Sequence, residues 1–231
     1  MFQFCTRKEA KKLRFDGKEV IDVSSKGAQP YNQLSPMYPH GGLRVPGMSY
    51  TFADSVEGIW QGLKVFKSKG VDTSRFVGPG KKRPGKPQGH QYQDRLLGYR
   101  EARYKIYKPL YSDMVKTKAT SIAQKMVLDM YNNPRTVYVH DYESNPDIDD
   151  LSKPFAHASL LVDILNENVN GLYEYDQDLD TRQEYLDHFQ GIERDPELAR
   201  LLNEGYQVAS NYLYPLAANI IFMWLSQGRD T

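Results

Sequence analysis

The segment Ser55-Val56-Glu57-Gly58-Ile59-Trp60-Gln61-Gly62-Leu63-Lys64-Val65-Phe66 constrains the fold of this chain more than any other. Val56, Ile59, Trp60, Leu63 and Phe66 recur at three- and four-residue steps, the mark of an amphipathic helix with one buried face. Glu57, Gln61 and Lys64 recur at the same steps on a second face. The spacing predicts one helix from Ser55 toward Gly70, with Asp54 or Ser55 as N-cap and Gly70 as the stop. The second face sets an acid, an amide and an amine in one row. Bordering a pocket, that row offers a proton donor or acceptor, a hydrogen-bonding arm and a nucleophile. Facing water, it is an ordinary solvated surface.

The remaining sequence reads as α+β, predominantly helical with a small β-sheet. Residues 6–14 suit a short helix or arm, and residues 20–24 and 136–140 suit strands by their β-branched content. A Pro/Gly-rich loop covers residues 25–51, and its aromatic and apolar content argues against disorder. A second Gly/Pro-rich loop covers residues 78–90. Helical patterns run over 92–107, 110–131, 155–166 and 181–190, with one or two more helices over 196–227. No boundary divides the chain sharply. The expectation is a single domain over 1–231, with a core of about 15–170 and a C-terminal helical extension of about 180–228.

Composition narrows the function classes. The 17 tyrosines suit pocket walls and stacking surfaces. A single cysteine, Cys5, excludes an internal disulfide and fits a reducing, cytoplasmic setting. No signal-peptide core follows Met1, and the apolar run over 213–225 is too short to span a bilayer, so no membrane association is expected. The net charge of +1 conceals a basic middle and an acidic remainder. Residues 64–118 carry 15 Lys/Arg against 4 Asp/Glu, and residues 119–231 carry 7 against 19. Either the two portions pair, or the basic middle attracts a phosphate-bearing partner.

Further candidate residues cluster around the helix. Tyr38 and His40 suit one wall of a nucleobase pocket, with Gly41 and Gly42 allowing close backbone approach. Lys81 and Lys82, with Arg83 and Lys86, bring charge suited to a diphosphate or nucleic-acid backbone, without P-loop spacing. Arg95, Tyr99, Arg103 and Tyr107 fall at four-residue steps. They suit a stacked, phosphorylated ligand, or a core edge with Arg snorkelling outward. The acidic run from Asp141 to Asp150 lacks metal-ligand spacing and reads as a solvated loop. It follows a strand end, which places a carboxylate of that run within reach of a pocket.

The 55–66 segment resembles the NADAR (YbiA-like) family. In that family a Thr/Ser-x-Glu helix carries Gln four residues after the Glu and Lys seven residues after it. Ser55, Glu57, Gln61 and Lys64 fit that spacing, and Phe66 closes the motif. Leu34-Ser35-Pro36-Met37-Tyr38-Pro39 is similar to the family's aromatic loop ending in Tyr-Pro, so the likeness covers roughly residues 25–67. Gly58 stands where the family usually has His, Pro36 stands where it usually has Asn, and the family's later Trp-Gly motif is not evident.

The resemblance implies a NADAR-like core with C-terminal helices and an N-glycosidase acting on an ADP-ribosylated base or a related nucleotide riboside. It implies Lys64 as the nucleophile, forming a Schiff base with the ring-opened ribose, and Glu57 as its acid/base partner. Trp60, Gln61, Tyr38, His40, Gly41, Gly42, Lys81, Lys82, Arg95 and Arg103 are the expected binding residues, with no metal or redox cofactor. Expected partners are an ADP-ribose-like or nucleotide ligand and a nucleic acid carrying the modified base. Two alternatives stay open: a nucleotide sensor or sponge that binds without cleaving, and an interaction protein whose split charge serves self-association.

Overall fold

The computed structural model describes residues 1–177 together with Leu216, Ile220 and Ile221. These residues form an α+β fold. The helices expected over 181–190 and 196–227 lie outside the described residues, apart from Leu216, Ile220 and Ile221, which are helical and buried. The chain divides into two compact units. One joins Gln3–Lys118 with Val137–Val162. The other takes Met1–Phe2, Ala119–Thr136 and the chain from Asp163 onward, so residues 119–136 group with the C-terminal portion.

The elements begin with β1 (Phe2–Phe4), α1 (Arg7–Phe15), β2 (Val20–Asp22), β3 (Leu43–Arg44) and β4 (Phe52–Ala53). Next come α2 (Val56–Gly62), β5 (Lys64–Val65), β6 (Gly89–Tyr92) and β7 (Arg95–Leu97). Then follow α3 (Tyr99–Ala102), a π-helical turn (Arg103–Tyr107), α4 (Lys108–Thr117), α5 (Thr120–Asn132), β8 (Val137–His140) and α6 (His157–Gln177). Three small sheets result, ordered β1-β8-β2, β3-β4 and β5-β6-β7. In the first, β2 runs parallel to β8 with Ile21 opposite Val139, and both side chains are buried. This pairing brings the chain after β2 and the chain after β8 out at the same sheet end.

Local chemistry explains the element ends. Thr6 caps α1 through a capping box in which Glu9 Oε2 accepts from the Thr6 N–H at 2.8 Å. Ser55 is the N-cap of α2, its Oγ accepting from the Gly58 N–H at 3.1 Å and donating to the Gly78 carbonyl at 2.7 Å. The helix expected to reach Gly70 stops at Gly62. Lys64 pairs with His90 in an antiparallel ladder, and the Leu63 carbonyl accepts the Gln91 N–H at 2.8 Å, so strand pairing takes over where helix was expected. The helix expected over 92–107 also changes. Gly89–Tyr92 and Arg95–Leu97 form a hairpin, and helix begins only at Tyr99. The long helix expected over 110–131 breaks at Ala119, whose φ of −107° and ψ of 19° leave the helical region.

Glycine makes one approach possible that no other residue would allow. Gly80 has φ +73°, and a Cβ there would lie 2.4 Å from the Gly58 nitrogen. A Cβ at Gly58 would lie 2.6 Å from the Arg75 carbonyl oxygen. The 78–83 loop therefore lies backbone to backbone on the first turn of α2.

In the other unit, α5 buries Ile122, Ala123, Met126, Val127 and Met130 along one face. Asn166 brackets Phe2 by accepting its N–H and donating to its carbonyl, each at 2.9 Å. No described helix is long and apolar enough to cross a membrane.

Gly80→Ala combines backbone strain with a clash and is expected to lose about 2–4 kcal/mol in urea unfolding. Gly70→Ala, where a Cβ meets nothing within 4 Å, is expected to stay within about 0.5 kcal/mol of the parent chain. Equal stability of the two variants would show that the close approach does not hold the loop.

Candidate active site

Gln61 organises the site. It lies in the last turn of α2 and is 4% exposed. Its Oε1 accepts from Lys64 Nζ at 2.8 Å and from the Arg83 backbone N–H at 3.1 Å. Two donors on one oxygen fix the amide orientation, which turns Nε2 toward Glu57; it donates to Glu57 Oε1 at 2.6 Å. Glu57 and Gln61 are neighbours on the helix, as expected from their spacing. Lys64 departs from the expectation, since it sits at the start of β5 beyond the helix end. It reaches the same row because the chain turns there.

Arg83 does not face a ligand. It is 7% exposed, and its guanidinium donates to the carbonyls of Lys64 at 2.5 Å and Gly70 at 3.0 Å. It also stacks over Phe66 at 4.7 Å. Arg83 thus pins β5 and the 78–83 loop together.

Glu57, Trp60, Gln61 and Lys64 form one wall of a cavity of about 260 Å³. Ser35, Pro36 and Met37 also line it, Tyr99, Tyr107 and Phe155 make it aromatic, and Arg103 and Lys82 add positive charge. Ser24, Ser25, Asp141, Glu143 and His157 complete the lining. The parallel β2–β8 pair explains this last group, because residues 24–25 and 141–143 leave the same sheet end.

Asp141 and His157 form a buried pair, with Nδ1 and Oδ2 at 2.8 Å. His157 Nε2 donates to the Val23 carbonyl at 3.1 Å. Asp141 also accepts the Ala158 N–H at 3.0 Å, at the start of α6, and the Glu143 N–H at 2.6 Å. Burial alone would lower the imidazole pKa, but the charge and hydrogen bond of Asp141, the Val23 carbonyl and the charge of Glu57 together raise it above 6.5. Burial alone would raise the Asp141 carboxyl, and His157 with the two backbone N–H groups reverses that and lowers it.

The reactive row is tuned in the opposite sense. Burial raises the Glu57 carboxyl above its ordinary 4.5, against the Gln61 hydrogen bond and the charges of Lys64, His157 and Lys82. Burial lowers the Lys64 amine below its ordinary 10.5; Glu57 opposes this, while Lys82 and Arg83 reinforce it. The site therefore favours a neutral acid beside a neutral amine more than water would. His90 backs this wall. It stacks on Trp60 at 3.8 Å, is fully buried, and is held neutral by burial and the nearby Lys64 charge, with its pKa pushed down to about 3.

The structure separates the expected site residues into two groups. Glu57, Trp60, Gln61, Lys64, Lys82 and Arg103 line the cavity. Tyr38, His40, Gly41, Gly42, Lys81 and Arg95 are not among its lining residues. His40 packs on Tyr38 at 4.7 Å and its Nε2 bonds the Gln33 carbonyl at 2.8 Å. The Gly41 N–H donates to the Asp54 carbonyl at 3.0 Å. Arg95 lies on β7 and pairs with Glu101 at 3.5 Å.

Arg103 lines the cavity but is 2% exposed, and it donates to the carbonyls of Ile148, Asp150 and Lys153 at 2.7, 2.9 and 2.8 Å. With the Arg100–Asp149 ion pair at 2.7 Å, it ties part of the basic middle to the acidic run. Sequence reasoning missed His157. Its only signal was a histidine opening a helix after Pro-Phe-Ala. Cys5 is buried, and burial raises its thiol to about 11, so it is a packed side chain rather than a nucleophile.

An α+β unit holding a half-open pocket of mixed charge with aromatic walls is the class these features define. Residues 5–161 match a family of unknown function, DUF6939, and the chain belongs to that family. The match includes every residue that lines the cavity. No curated protein and no solved structure matches the chain.

The Asp141–His157 pair sets a pH dependence. The lowered Asp141 pKa adds stability that is lost as pH falls below about 3.8. The raised His157 pKa adds stability that is complete below 6.5 and lost as pH rises through the folded value. His157→Gln is therefore expected to lose about 3 kcal/mol at pH 5.5, with a smaller deficit at pH 9, by urea unfolding. A deficit independent of pH would remove the ionic part of this account.

Proposed function

We propose that this protein is an N-glycosidase. It cleaves the bond between a ribose and its base, in an ADP-ribosylated base or related nucleotide riboside, through an imine on Lys64. One observation carries the reading: a single oriented amide, Gln61, bridges the Lys64 amine and the Glu57 carboxyl in a cavity wall. The NADAR-like spacing of Ser55, Glu57, Gln61 and Lys64 supports the same chemistry. The cavity falls below the roughly 300 Å³ at which small-molecule pockets usually begin, so it suits the riboside end of a ligand rather than a whole dinucleotide.

The anomeric carbon of an N-riboside is an aldehyde equivalent, and a free amine captures it covalently. Lys64 keeps one N–H on Gln61 and presents its lone pair to C1′. As the new N–C1′ bond forms, the C1′–base bond breaks, and the base leaves with the proton held by Glu57. The Lys64 nitrogen gives a proton to the Glu57 carboxylate. That proton passes to the ring oxygen as the C1′–O bond opens, which leaves a protonated imine. Water adds to the imine carbon and yields its proton to Glu57. Collapse of the carbinolamine expels the amine and frees the sugar, so one water is consumed per bond cleaved. Gln61 and His157 form no bond to the substrate in this sequence. Gln61 orients the two reacting groups.

Exposed Lys81, Lys82 and Lys86 support a substrate whose outer part is a phosphate chain or nucleic acid. The proposal includes a cytoplasmic setting, supported by the single cysteine. A second reading is a nucleotide sensor or sponge that binds without turnover. Gly58 favours it: the position where the NADAR family usually has His has no room for a side chain.

Incubation with an ADP-ribosylated oligonucleotide, NAD or ADP-ribose tests both readings. The enzyme reading expects product release that falls roughly a thousandfold or more in Lys64→Ala. Borohydride added during turnover is expected to trap an adduct on Lys64; binding with neither product nor adduct would leave the sensor reading. The pH–rate profile is expected to be bell-shaped, with both limbs drawn inside the interval from 4.5 to 10.5 by the raised Glu57 and lowered Lys64 values. A limb outside that interval would exclude this pair as the acting groups.

A further inference from the structure

Two polar side chains in the cavity are used neither by the fold nor by the chemistry above. Tyr107 is 8% exposed and lines the cavity, and among the described residues its hydroxyl has no hydrogen-bond partner. That oxygen is not among the sealed, unsatisfied atoms of the protein, so it keeps contact with open space. Tyr111 marks the contrast, because its hydroxyl donates to the Leu34 carbonyl at 2.8 Å. Burial keeps Tyr107 a neutral phenol, which preserves its proton for donation. It closes the π-helical turn Arg103–Tyr107, and such turns often re-aim side chains at functional sites.

Glu143 lines the same cavity and is half-buried. Its backbone N–H is held by Asp141 Oδ1 at 2.6 Å, which fixes its place after β8. Its carboxyl accepts no hydrogen bond and forms no ion pair among the described residues. Both side chains line the cavity with no protein partner among the described residues, which leaves them open to a ligand. A phenol donor and a carboxylate acceptor match a sugar diol, whose hydroxyls donate to one and accept from the other. Arg103, by contrast, already directs three of its five N–H groups to backbone carbonyls.

We infer that Tyr107 and Glu143 form a diol-binding edge, so that the ligand is a riboside with free 2′- and 3′-hydroxyls. This inference rests on the riboside reading of the site. It excludes sugars that lack the 2′-hydroxyl or carry a phosphate there, since a 2′-phosphate would meet the carboxylates of Glu143 and Asp141.

Calorimetric binding of adenosine, guanosine and their 2′-deoxy counterparts tests it without turnover. The parent chain and Lys64→Ala are both expected to prefer the ribosides at least about tenfold, the worth of one hydrogen bond to a charged group. Tyr107→Phe and Glu143→Gln, which alter little volume, are expected to reduce that preference toward unity while retaining the parent unfolding midpoint. Equal affinity for riboside and deoxyriboside, or no binding of either, would overturn the diol edge. Preference retained in both variants would overturn the assignment to these residues. Borohydride adducts supply the separation: an adduct on Lys64 without diol preference leaves the glycosidase reading standing, and preference without an adduct leaves the diol edge standing alone.

Discussion

Backbone contact between Gly58 and Gly80 is the constraint on which the site depends. It seats the 78–83 loop directly on the first turn of α2. From there the Arg83 N–H reaches Gln61 Oε1, and the Arg83 guanidinium reaches the carbonyl of Lys64. The same loop therefore orients the amide and anchors the strand that carries the amine. Without that approach, Gln61 would lose one of the two donors that fix its orientation, and the Glu57–Lys64 row would lose its definition.

The cavity sets two kinds of electrostatics against each other. On one side, Asp141 and His157 lie close enough to stabilise each other's charge despite burial. On the other, Glu57 and Lys64 are separated by an amide, so burial outweighs their attraction and moves both toward neutrality. The difference is one of geometry rather than residue type, since both are acid–base pairs in the same lining. A direct 2.8 Å contact preserves ions. An intervening neutral group lets desolvation prevail.

Local patterns in the sequence carried much of this, and long-range pairing carried the rest. The α+β class, the α1 segment, the strands near 20–24 and 136–140 and the Ser55 cap follow from β-branched runs and capping chemistry. The grouping of Glu57, Gln61 and Lys64 was legible from spacing, although Lys64 reaches the row from a strand. The β6–β7 hairpin was hidden because Gln91, Gln93 and Arg95 suit a helix as well as a strand, and only pairing with Lys64 decides between them. The break at Ala119 was hidden because alanine is the strongest helix former and carries no stop signal. His157 and Asp141 stand 16 residues apart and meet only because α6 starts beside the end of β8, which no local pattern encodes. Tyr38 and His40 read as a ligand wall from composition, yet they pack on each other and on Gln33.

The π-helical turn couples two things that sequence distance would keep apart. Arg103 opens it and grips the carbonyls at 148, 150 and 153, while Tyr107 closes it and faces the cavity. One short segment therefore anchors the acidic loop at its first residue and presents the phenol at its last, so both rest on the same backbone support.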